Sequence, residues 1–413
     1  MRQRLAFAVV IAGFIHAAPK AQEPAVAGLM KQPAVRAALD AVKANEPQAI
    51  ADQIRFCEIP APSFKEEARG KELQRVFQQI GLQNVRVDKI GNVLGDYVGA
   101  PHPHLVITAH LDTVFPEGTD VRVKREGDIL RGPGIGDDCR GLAVLVSVAR
   151  EMKKASVVTK GTVTFVANVG EEGLGDLRGV KELFKTTMKD QIDDFIAIDG
   201  TGVHVTNVAV GSHRYRVTFK GPGGHSFGAF GMANPLGAMG RAIAKTQDMQ
   251  VPRQPKTTFN VGRVGGGTSV NSIPFEAWME VDMRSSDPAS LAAVDANFQK
   301  AVDAAVVEEN QRWGSKAITV VKELVGDRPA GNTPENAPIV RTGLAAATVL
   351  GLSANLGEGS TDANLPMSMK IPAITIGAGG RGRDAHSRGE SFDTTDSWMG
   401  TQYALLLVVS LVQ

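Results

Sequence analysis

A short apolar stretch at residues 105–108 (LVIT) leads directly into His110 and Asp112. Its length and its β-branched residues predict a buried strand. Because side chains alternate along a strand, His110 and Asp112 lie on the same face at its carboxyl end. An imidazole beside a carboxylate suits a metal ligand and the group that orients it. A strand-end histidine capped by an aspartate is the simpler alternative.

Acidic residues and a second histidine follow other predicted strands and glycine-rich turns. Strands that alternate with helices predict an α/β sheet with parallel neighbours, and such sheets bind ligands beyond the carboxyl ends of their strands. Taken singly, each residue has a plainer explanation as a helix cap, a solvated turn or a surface loop. Together they would place several carboxylates in one cleft, where their repulsion favours bound cations. These residues are Asp137, Asp138, Glu171, Glu172, Asp199 and His386.

The middle of the chain has a different pattern. Predicted strands and helices follow one another in the order β-α-β-β-α-β, which is typical of a ferredoxin-like domain. We therefore predict that residues 209–326 form a domain inserted into a larger one, which consists of residues 22–208 and 327–413.

The first residues have the layout of a secretory signal. Basic residues at the start are followed by an apolar stretch at 5–15 and by alanines at 17, 18 and 21. The apolar stretch is too short to span a bilayer as a stable helix. We predict that residues 1–21 are a signal peptide and that the mature protein is exported, either to the periplasm or out of the cell. No stable membrane insertion is expected after the signal is removed.

The net charge and the two cysteines add weaker constraints. The net charge is +1, so no excess of positive charge argues for a nucleic-acid partner, and none is expected. An exported chain could pair Cys57 with Cys139, but two buried thiols are equally compatible with the sequence. The redox state of the cysteines therefore stays open.

Several motifs occur in a characteristic order along the chain: HLDTVFP, GPGIGDDCRG, ANVGEEGLG, GPGGHS, VNSIP, DMR and DAHSRGE. In this order they resemble the M20 family of zinc metallopeptidases over nearly all of the chain after the signal. The resemblance implies an α/β fold in which a mixed-sheet, two-zinc catalytic domain carries an inserted ferredoxin-like lid. In that family the lid often forms the dimer contact, so a homodimer through the lid is expected.

The resemblance also implies a role for each candidate residue in the larger domain. One zinc would be held by two residues, the other by two more, and a single aspartate would bridge both ions. The peptide bond after the bridging aspartate is often cis in the family. Co²⁺ or Mn²⁺ can replace Zn²⁺ at such ligands. The implied set is His110 and Asp199 for one zinc, Glu172 and His386 for the other, Asp137 as the bridge, Asp112 as the residue that orients His110, and Glu171 as the general base.

Three residues of the inserted domain match substrate-binding positions of the family. His225 would stabilise the oxyanion, often across the dimer interface, although it could instead stabilise a glycine-rich turn. Asn271 and Arg284 would bind the polar end of the substrate, since a guanidinium can bind a carboxylate through two hydrogen bonds. A salt bridge within the lid is the alternative for Arg284.

The expected activity is hydrolysis of an amide bond in small peptides or N-acyl amino acids by a zinc-activated water. A carboxypeptidase or deacylase is the first reading, and an aminopeptidase on di- or tripeptides is the second. A non-catalytic peptide-binding protein with the same fold is an alternative of another class. A complete ligand set together with Glu171 argues against it, since a binding protein requires neither.

Overall fold

The computed structural model describes residues 22–413, so the predicted signal peptide lies outside the described residues. The α-helices are α1 Glu23–Met30, α2 Pro33–Ala44, α3 Glu46–Cys57, α4 Glu67–Ile80, α5 Cys139–Lys154, α6 Arg178–Glu182, α7 Pro235–Gln247, α8 Pro288–Arg312, α9 Pro338–Val349, α10 Asn364–Ser368 and α11 Trp398–Leu411. The strands are β1 Gln83–Val87, β2 Val93–Tyr97, β3 Ala100–His110, β4 Lys124–Glu126, β5 Ile129–Arg131, β6 Gly161–Asn168, β7 Asp194–Ile198, β8 Val205–Ala209, β9 Gly211–Lys220, β10 Gly224–His225, β11 Thr257–Gly266, β12 Ser272–Ile273, β13 Glu276–Ser285, β14 Thr319–Arg328, β15 Gly331–Asn332, β16 Leu356–Gly359, β17 Ala373–Ile376, β18 Arg381–Arg383 and β19 Ser391–Asp393.

A mixed sheet of nine strands forms the centre of the molecule. Its strand order is β1-β2-β6-β3-β7-β17-β8-β15, with β16 beside β8. Strands β6, β3, β7 and β17 run parallel, whereas β1 and β2 are antiparallel to their neighbours. The prediction of an α/β fold with a mixed sheet is confirmed. The parallel strands end at one edge, which gathers the residues that follow them.

Helices cover this sheet through apolar faces. Residues of α5 and α11 are almost completely buried, and the sequence of α11 (WMGTQYALLLVVSL) explains why it lies inside the core. Within residues 22–413, no helix combines the length and the hydrophobicity that crossing a membrane requires. Cys57 and Cys139 are both buried free thiols in one apolar cluster, so the thiol alternative holds here.

A second, antiparallel sheet has the order β11-β13-β9-β14. Strand β13 alternates strictly between buried and half-buried residues, because one face packs on α7 and α8 while the other bears charged side chains. The elements follow the chain order β9-α7-β11-β13-α8-β14, which is a βαββαβ arrangement, and the short strands β10 and β12 pair separately. We call β9 to β14 with these helices the four-stranded unit.

A third small sheet, β18-β19-β5-β4, was not predicted. Its strand β18 begins at Arg381, within a glycine-rich segment at 377–382. Strands this short have too little periodicity to be recognised alone. Their pairing brings residues 132–138, here called the Asp137 loop, beside residues 384–390, here called the His386 loop.

Candidate metal centre

Two histidines and several carboxylates meet at the carboxyl edge of the central sheet. His110 is the last residue of β3, Glu171 and Glu172 follow β6, and Asp199 follows β7. Asp137 and His386 come from the two loops that the third sheet brings together. The structure therefore places every predicted ligand at one edge, as the strand pattern indicated for those that follow strands.

The carboxylate of Asp137 lies at the middle of this cluster. Its Oδ1 is 3.0 Å from His110 Nε2 and its Oδ2 is 3.0 Å from His386 Nε2. His386 Nε2 is also 3.0 Å from Glu172 Oε1. Candidate ligand atoms of His110, Asp137 and Asp199 lie within 4.8 Å of one another, as do those of Asp137, Glu172 and His386. Asp137 thus belongs to both of these groups of three candidate ligands.

Asp137 and Asp138 have separate roles although they are adjacent. The peptide bond between them is cis. Asp138 is fully buried and caps α5, because its Oδ1 accepts a hydrogen bond of 3.1 Å from the N–H of Gly141. Its Oδ2 accepts one of 3.0 Å from the N–H of His110. The helix-cap explanation therefore applies to Asp138 and leaves Asp137 for the site.

Asp112 is buried directly beneath the cluster. Its two carboxylate oxygens accept hydrogen bonds of 3.0 Å from the N–H groups of Glu171 and Glu172, and Ser63 Oγ donates a third at 2.7 Å. Nδ1 of His110 is 3.0 Å from the carbonyl oxygen of Asp112 but 3.6 Å from its carboxylate. Asp112 thus orients His110 mainly through its backbone, while its carboxylate positions the glutamate pair. When His110 is neutral and keeps its proton on Nδ1, the lone pair of Nε2 faces the carboxylate of Asp137.

Glu171 and Glu172 have different partners. Glu171 Oε1 accepts a hydrogen bond of 2.8 Å from Arg328 Nη1, and its carbonyl oxygen accepts one from Nη2. Glu171 and Arg328 are each only 4% exposed. Burial raises the pKa of Glu171 well above its usual range, the Arg328 guanidinium lowers it, and the Glu172 carboxylate raises it further. A buried carboxyl with a raised pKa, beside the ligands but held by another residue, suits a general base.

Burial and neighbouring charges set the other pKa values. Burial alone would lower the pKa of His110, but carboxylates including that of Asp137 raise it well above its usual range. Hydrogen bonds to Asp137 and Glu172 raise the pKa of His386 to about 10. Burial, with the carboxylate of Asp137 nearby, raises the pKa of Asp199 to about 7. The cluster therefore attracts positive charge strongly, as expected when acids are packed together.

The donor set fits divalent metal ions. Two imidazoles and three carboxylates are the ligand types that Zn²⁺ accepts, and Co²⁺ or Mn²⁺ also binds such groups. Atoms of His110, Glu171 and Glu172 form a third group within 4.8 Å. Because Arg328 holds the carboxylate of Glu171, Glu172 is the better candidate for a ligand.

The predicted substrate-binding residues lie on the four-stranded unit. His225 and Asn271 are neighbours at the β10–β12 pairing, where the N–H of Ser226 donates to the carbonyl of Asn271 at 2.9 Å. Arg284 is on the charged face of β13 and its Nε donates to Asp282 at 2.7 Å. Within residues 22–413, no hydrogen bond or ion pair joins His225, Asn271 or Arg284 to the acidic cluster.

Three residues that support the cluster could not be recognised from the sequence pattern. Arg328 is the last residue of β14, and Ser63 lies in a loop far from the predicted strands. Glu390 accepts hydrogen bonds from three N–H groups of the Asp137 loop. A single arginine, serine or glutamate forms no periodic pattern, and each of these three residues binds a partner that is distant in the sequence. The one available signal was the position of Glu390, four residues after His386.

Residues 106–410 match the model of a family described as "Peptidase family M20/M25/M40". The chain belongs to this peptidase family. The predicted resemblance is thereby confirmed, and this M20 peptidase is an enzyme of the metallopeptidase and amide hydrolase class.

Proteins similar to this chain include a carboxypeptidase and a tripeptidase. Carboxypeptidase G2 from Pseudomonas sp. (strain RS-16) is 26% identical over 337 residues, which cover 76% of this chain and 77% of the relative. A tripeptidase from Staphylococcus aureus has a TM-score of 0.73 at 22% identity, covering 89% of this chain and 98% of that one. A Bacillus subtilis structure described as a dinuclear metal binding peptidase from the M20 family has a TM-score of 0.65 at 19% identity, covering 90% and 99%. These two structures show that the fold is shared.

Proposed function

We propose that this M20 peptidase uses two zinc ions to hydrolyse the amide bond of small peptides or N-acyl amino acids, and that it releases an amino acid with a free carboxylate. The observation that carries the proposal is the position of Asp137, whose two oxygens face His110 and His386 separately. A carboxylate shared between two ligand groups suits a pair of cations.

Five residues would hold the ions. His110, Asp137 and Asp199 would hold one, and Asp137, Glu172 and His386 would hold the other. When bound, the ions would supply a water of lowered pKa and would polarise the scissile carbonyl.

Glu171 would act as the general base. It would accept a proton from the attacking water and deliver it to the leaving amine. Arg328 fixes the orientation of its carboxylate, and Asp112 holds the backbone N–H groups of Glu171 and Glu172. These contacts support a role for Glu171 as a base that lies beside the proposed ligands without being one of them.

His225 would donate a hydrogen bond to the carbonyl oxygen as negative charge develops there. Its Nδ1 accepts hydrogen bonds from the N–H groups of Phe227 at 3.3 Å and Gly228 at 3.2 Å, so the ring proton lies on Nε2. In the described residues, 22–413, His225 makes no hydrogen bond or ion pair with the metal centre of its own chain. We therefore infer that the four-stranded unit forms a homodimer contact. Through this contact, a partner subunit would supply the histidine.

Arg284 supports the preference for a free carboxylate. It lies on the same sheet face as Arg214, which pairs with Asp282. Arg214 Nη1 donates a hydrogen bond of 2.8 Å to the carbonyl of Gly173, the residue that follows the glutamate pair. This charged face is therefore adjacent to the metal centre. Arg284, which is partly exposed, and Asn271 would bind the polar end of the substrate.

The pairing of Arg284 with Asp282 also favours a second candidate function. Asp282 compensates part of the charge of Arg284, so Arg284 is less available to bind a substrate carboxylate. An aminopeptidase on di- or tripeptides, with an acidic residue binding the free amine, is the alternative.

The test uses metal-depleted protein with and without added Zn²⁺ on two substrates. One is an amine-blocked dipeptide with a free carboxylate, and the other is a dipeptide amide with a free amine. Zinc-dependent cleavage of the blocked substrate alone is the expected result. Cleavage of the amide alone would select the aminopeptidase. Cleavage of neither substrate would contradict the proposed substrate class.

Export stays a prediction, because it rests on residues 1–21. Comparing the mature N-terminus of secreted or periplasmic protein with the sequence after residue 21 would test it. An uncleaved N-terminus on cytoplasmic protein would contradict the prediction.

A further inference from the structure

Glu390 connects the two loops that carry Asp137 and His386. Its side chain is 1% exposed. Its Oε1 accepts hydrogen bonds from the N–H groups of Gly136 at 2.8 Å and Asp137 at 3.0 Å, and its Oε2 accepts one from Gly134 at 2.9 Å. One carboxylate therefore binds three backbone donors of the Asp137 loop from within the His386 loop.

The backbone of Glu390 strengthens this connection. Its carbonyl oxygen accepts a hydrogen bond of 3.1 Å from the N–H of Gly132. The next residue, Ser391, pairs with Arg131 in the β19–β5 ladder. The two loops are thus joined at both the side chain and the main chain of one residue.

The local sequence makes room for this carboxylate. A Cβ at Gly136 would lie only 3.3 Å from Glu390 Oε1, and Gly134 has a φ of +79°, which an L side chain rarely adopts. Without the carboxylate, two buried N–H groups and one partly buried N–H group would lose their acceptor, which is costly in a folded protein. The loop would then shift to find other partners.

A shift of this loop would move the carboxylate of Asp137. That carboxylate is 3.0 Å from each of two histidines, and one of them, His386, is four residues before Glu390. Groups that orient metal ligands without touching the metal set the affinity of a site, and their loss typically weakens it by about 10–100-fold.

We propose that Glu390 is a positioning residue that holds Asp137 and His386 at the separation required for binding two metal ions. This inference rests on the proposed metal centre and adds to it the residue that joins its two loops. Glu390 would affect the reaction only through these two ligands.

The test is a titration of metal-depleted protein with Co²⁺, followed by visible absorption and by calorimetry. The variant Glu390→Gln replaces one acceptor oxygen with a donor that faces N–H groups. We expect its affinity for at least one of the two ions to fall by about 10–100-fold, with a changed cobalt spectrum. Glu390→Asp keeps the carboxylate but shortens its reach, and an intermediate loss is expected.

Glu126→Gln is the matched control, because Glu126 belongs to the same small sheet but its carboxylate is exposed and pairs with Arg131. Its cobalt affinity and spectrum should equal those of the wild type. A purely structural role for Glu390 would lower the melting temperature of the metal-free variant and leave the affinity and the spectrum unchanged. That result, or wild-type cobalt binding by Glu390→Gln, would overturn the proposal.

If Glu390→Gln does not fold, Gly136→Ala decides the question. Its added methyl group would press on the carboxylate at 3.3 Å without removing it. A reduced cobalt affinity would support the proposal, and unchanged binding would refute it. If the wild type itself binds fewer than two Co²⁺ ions, the metal centre fails, whereas a loss of substrate cleavage with intact binding of two ions would count only against the proposed reaction.

Discussion

At the residue scale, Arg328 and Glu171 form an ion pair in which both side chains are almost completely buried. Burial of a charge is costly, and the pair offsets that cost only while both partners are present. The guanidinium also binds the backbone carbonyl of Glu171, so it holds the carboxylate in one orientation. Loss of one partner alone would therefore destabilise the fold, and the intact pair fixes the position of the proposed base.

Glu171→Gln should lower kcat by about 10²–10⁴-fold, the usual contribution of general acid–base catalysis. The binding of two metal ions and of substrate should be preserved, because Glu171 is not among the proposed ligands. Steady-state kinetics and metal analysis of the purified variant would measure both. Glu67→Gln, on the exposed surface of α4, is the control. Unchanged turnover in Glu171→Gln would remove Glu171 as the base.

Arg328→Met should lower the free energy of unfolding by about 3–5 kcal/mol, because it leaves the buried carboxylate of Glu171 unpaired. Adding Glu171→Gln should recover much of that loss, since no unpaired charge then remains. Urea unfolding of the two single variants and the double variant would measure the coupling. Additive effects would show that the two side chains do not act as a pair.

At the element scale, the glutamate loop, residues 171–176, is held by strands of the four-stranded unit. Arg214 of β9 donates to the carbonyl of Gly173 at 2.8 Å, and the N–H of Asp327 in β14 donates to Asp176 Oδ1 at 2.8 Å. Together with Arg328, these contacts join β9 and β14 to the loop that carries the proposed base. A displacement of the four-stranded unit would therefore be transmitted to this loop.

Arg214→Ala should increase hydrogen exchange in residues 171–176 and lower kcat/KM, because one of the contacts to the loop is lost. Arg216→Ala is a matched control. Arg216 lies on the same strand, but it pairs with Glu280 and stacks on Trp278 with 4.0 Å between the guanidinium carbon and the ring centroid. Hydrogen–deuterium exchange with mass spectrometry would compare the two. Equal exchange in this loop for both variants would contradict the proposed connection.

At the scale of the whole molecule, charges far from the metal centre also affect stability. Asp194 begins β7, at the end of the strand opposite to Asp199. Burial, with the Asp193 carboxylate nearby, raises its pKa to about 6. The pKa of an aspartate in the unfolded chain is about 3.9. Between these two pKa values the folded state therefore binds more protons than the unfolded state, and it loses stability as the pH rises from about 4 to about 6.

Asp194→Asn removes this titration. Relative to the wild type, the variant should gain little stability at pH 4 and a larger amount, up to about 3 kcal/mol, above pH 6. Urea unfolding at several pH values would measure the difference. Asp40→Asn, at an exposed aspartate that pairs with Arg36, is the control. A gain that does not depend on pH would contradict the assigned cause.

The central fold could be predicted because its signals are local. The strand that ends at His110 and the acids after β6 and β7 follow from alternation and from parallel connections, both of which act over a few residues. The motif resemblance added the distinction between Glu171 and Glu172, which spacing does not provide. The third sheet, with strands of only three residues, has no such signal.

Short segments of the sequence were enough to predict an α/β sheet with histidines and carboxylates at its carboxyl edge, because hydrophobic periodicity and strand ends are local properties. The groups that hold those residues in place depend instead on how distant segments pack together. Arg328 reaches Glu171 from 157 positions away and Glu390 binds the N–H of Asp137 from 253 positions away. Such partners are chosen by burial, since a buried charge or N–H group must find its complement wherever the folded chain provides one.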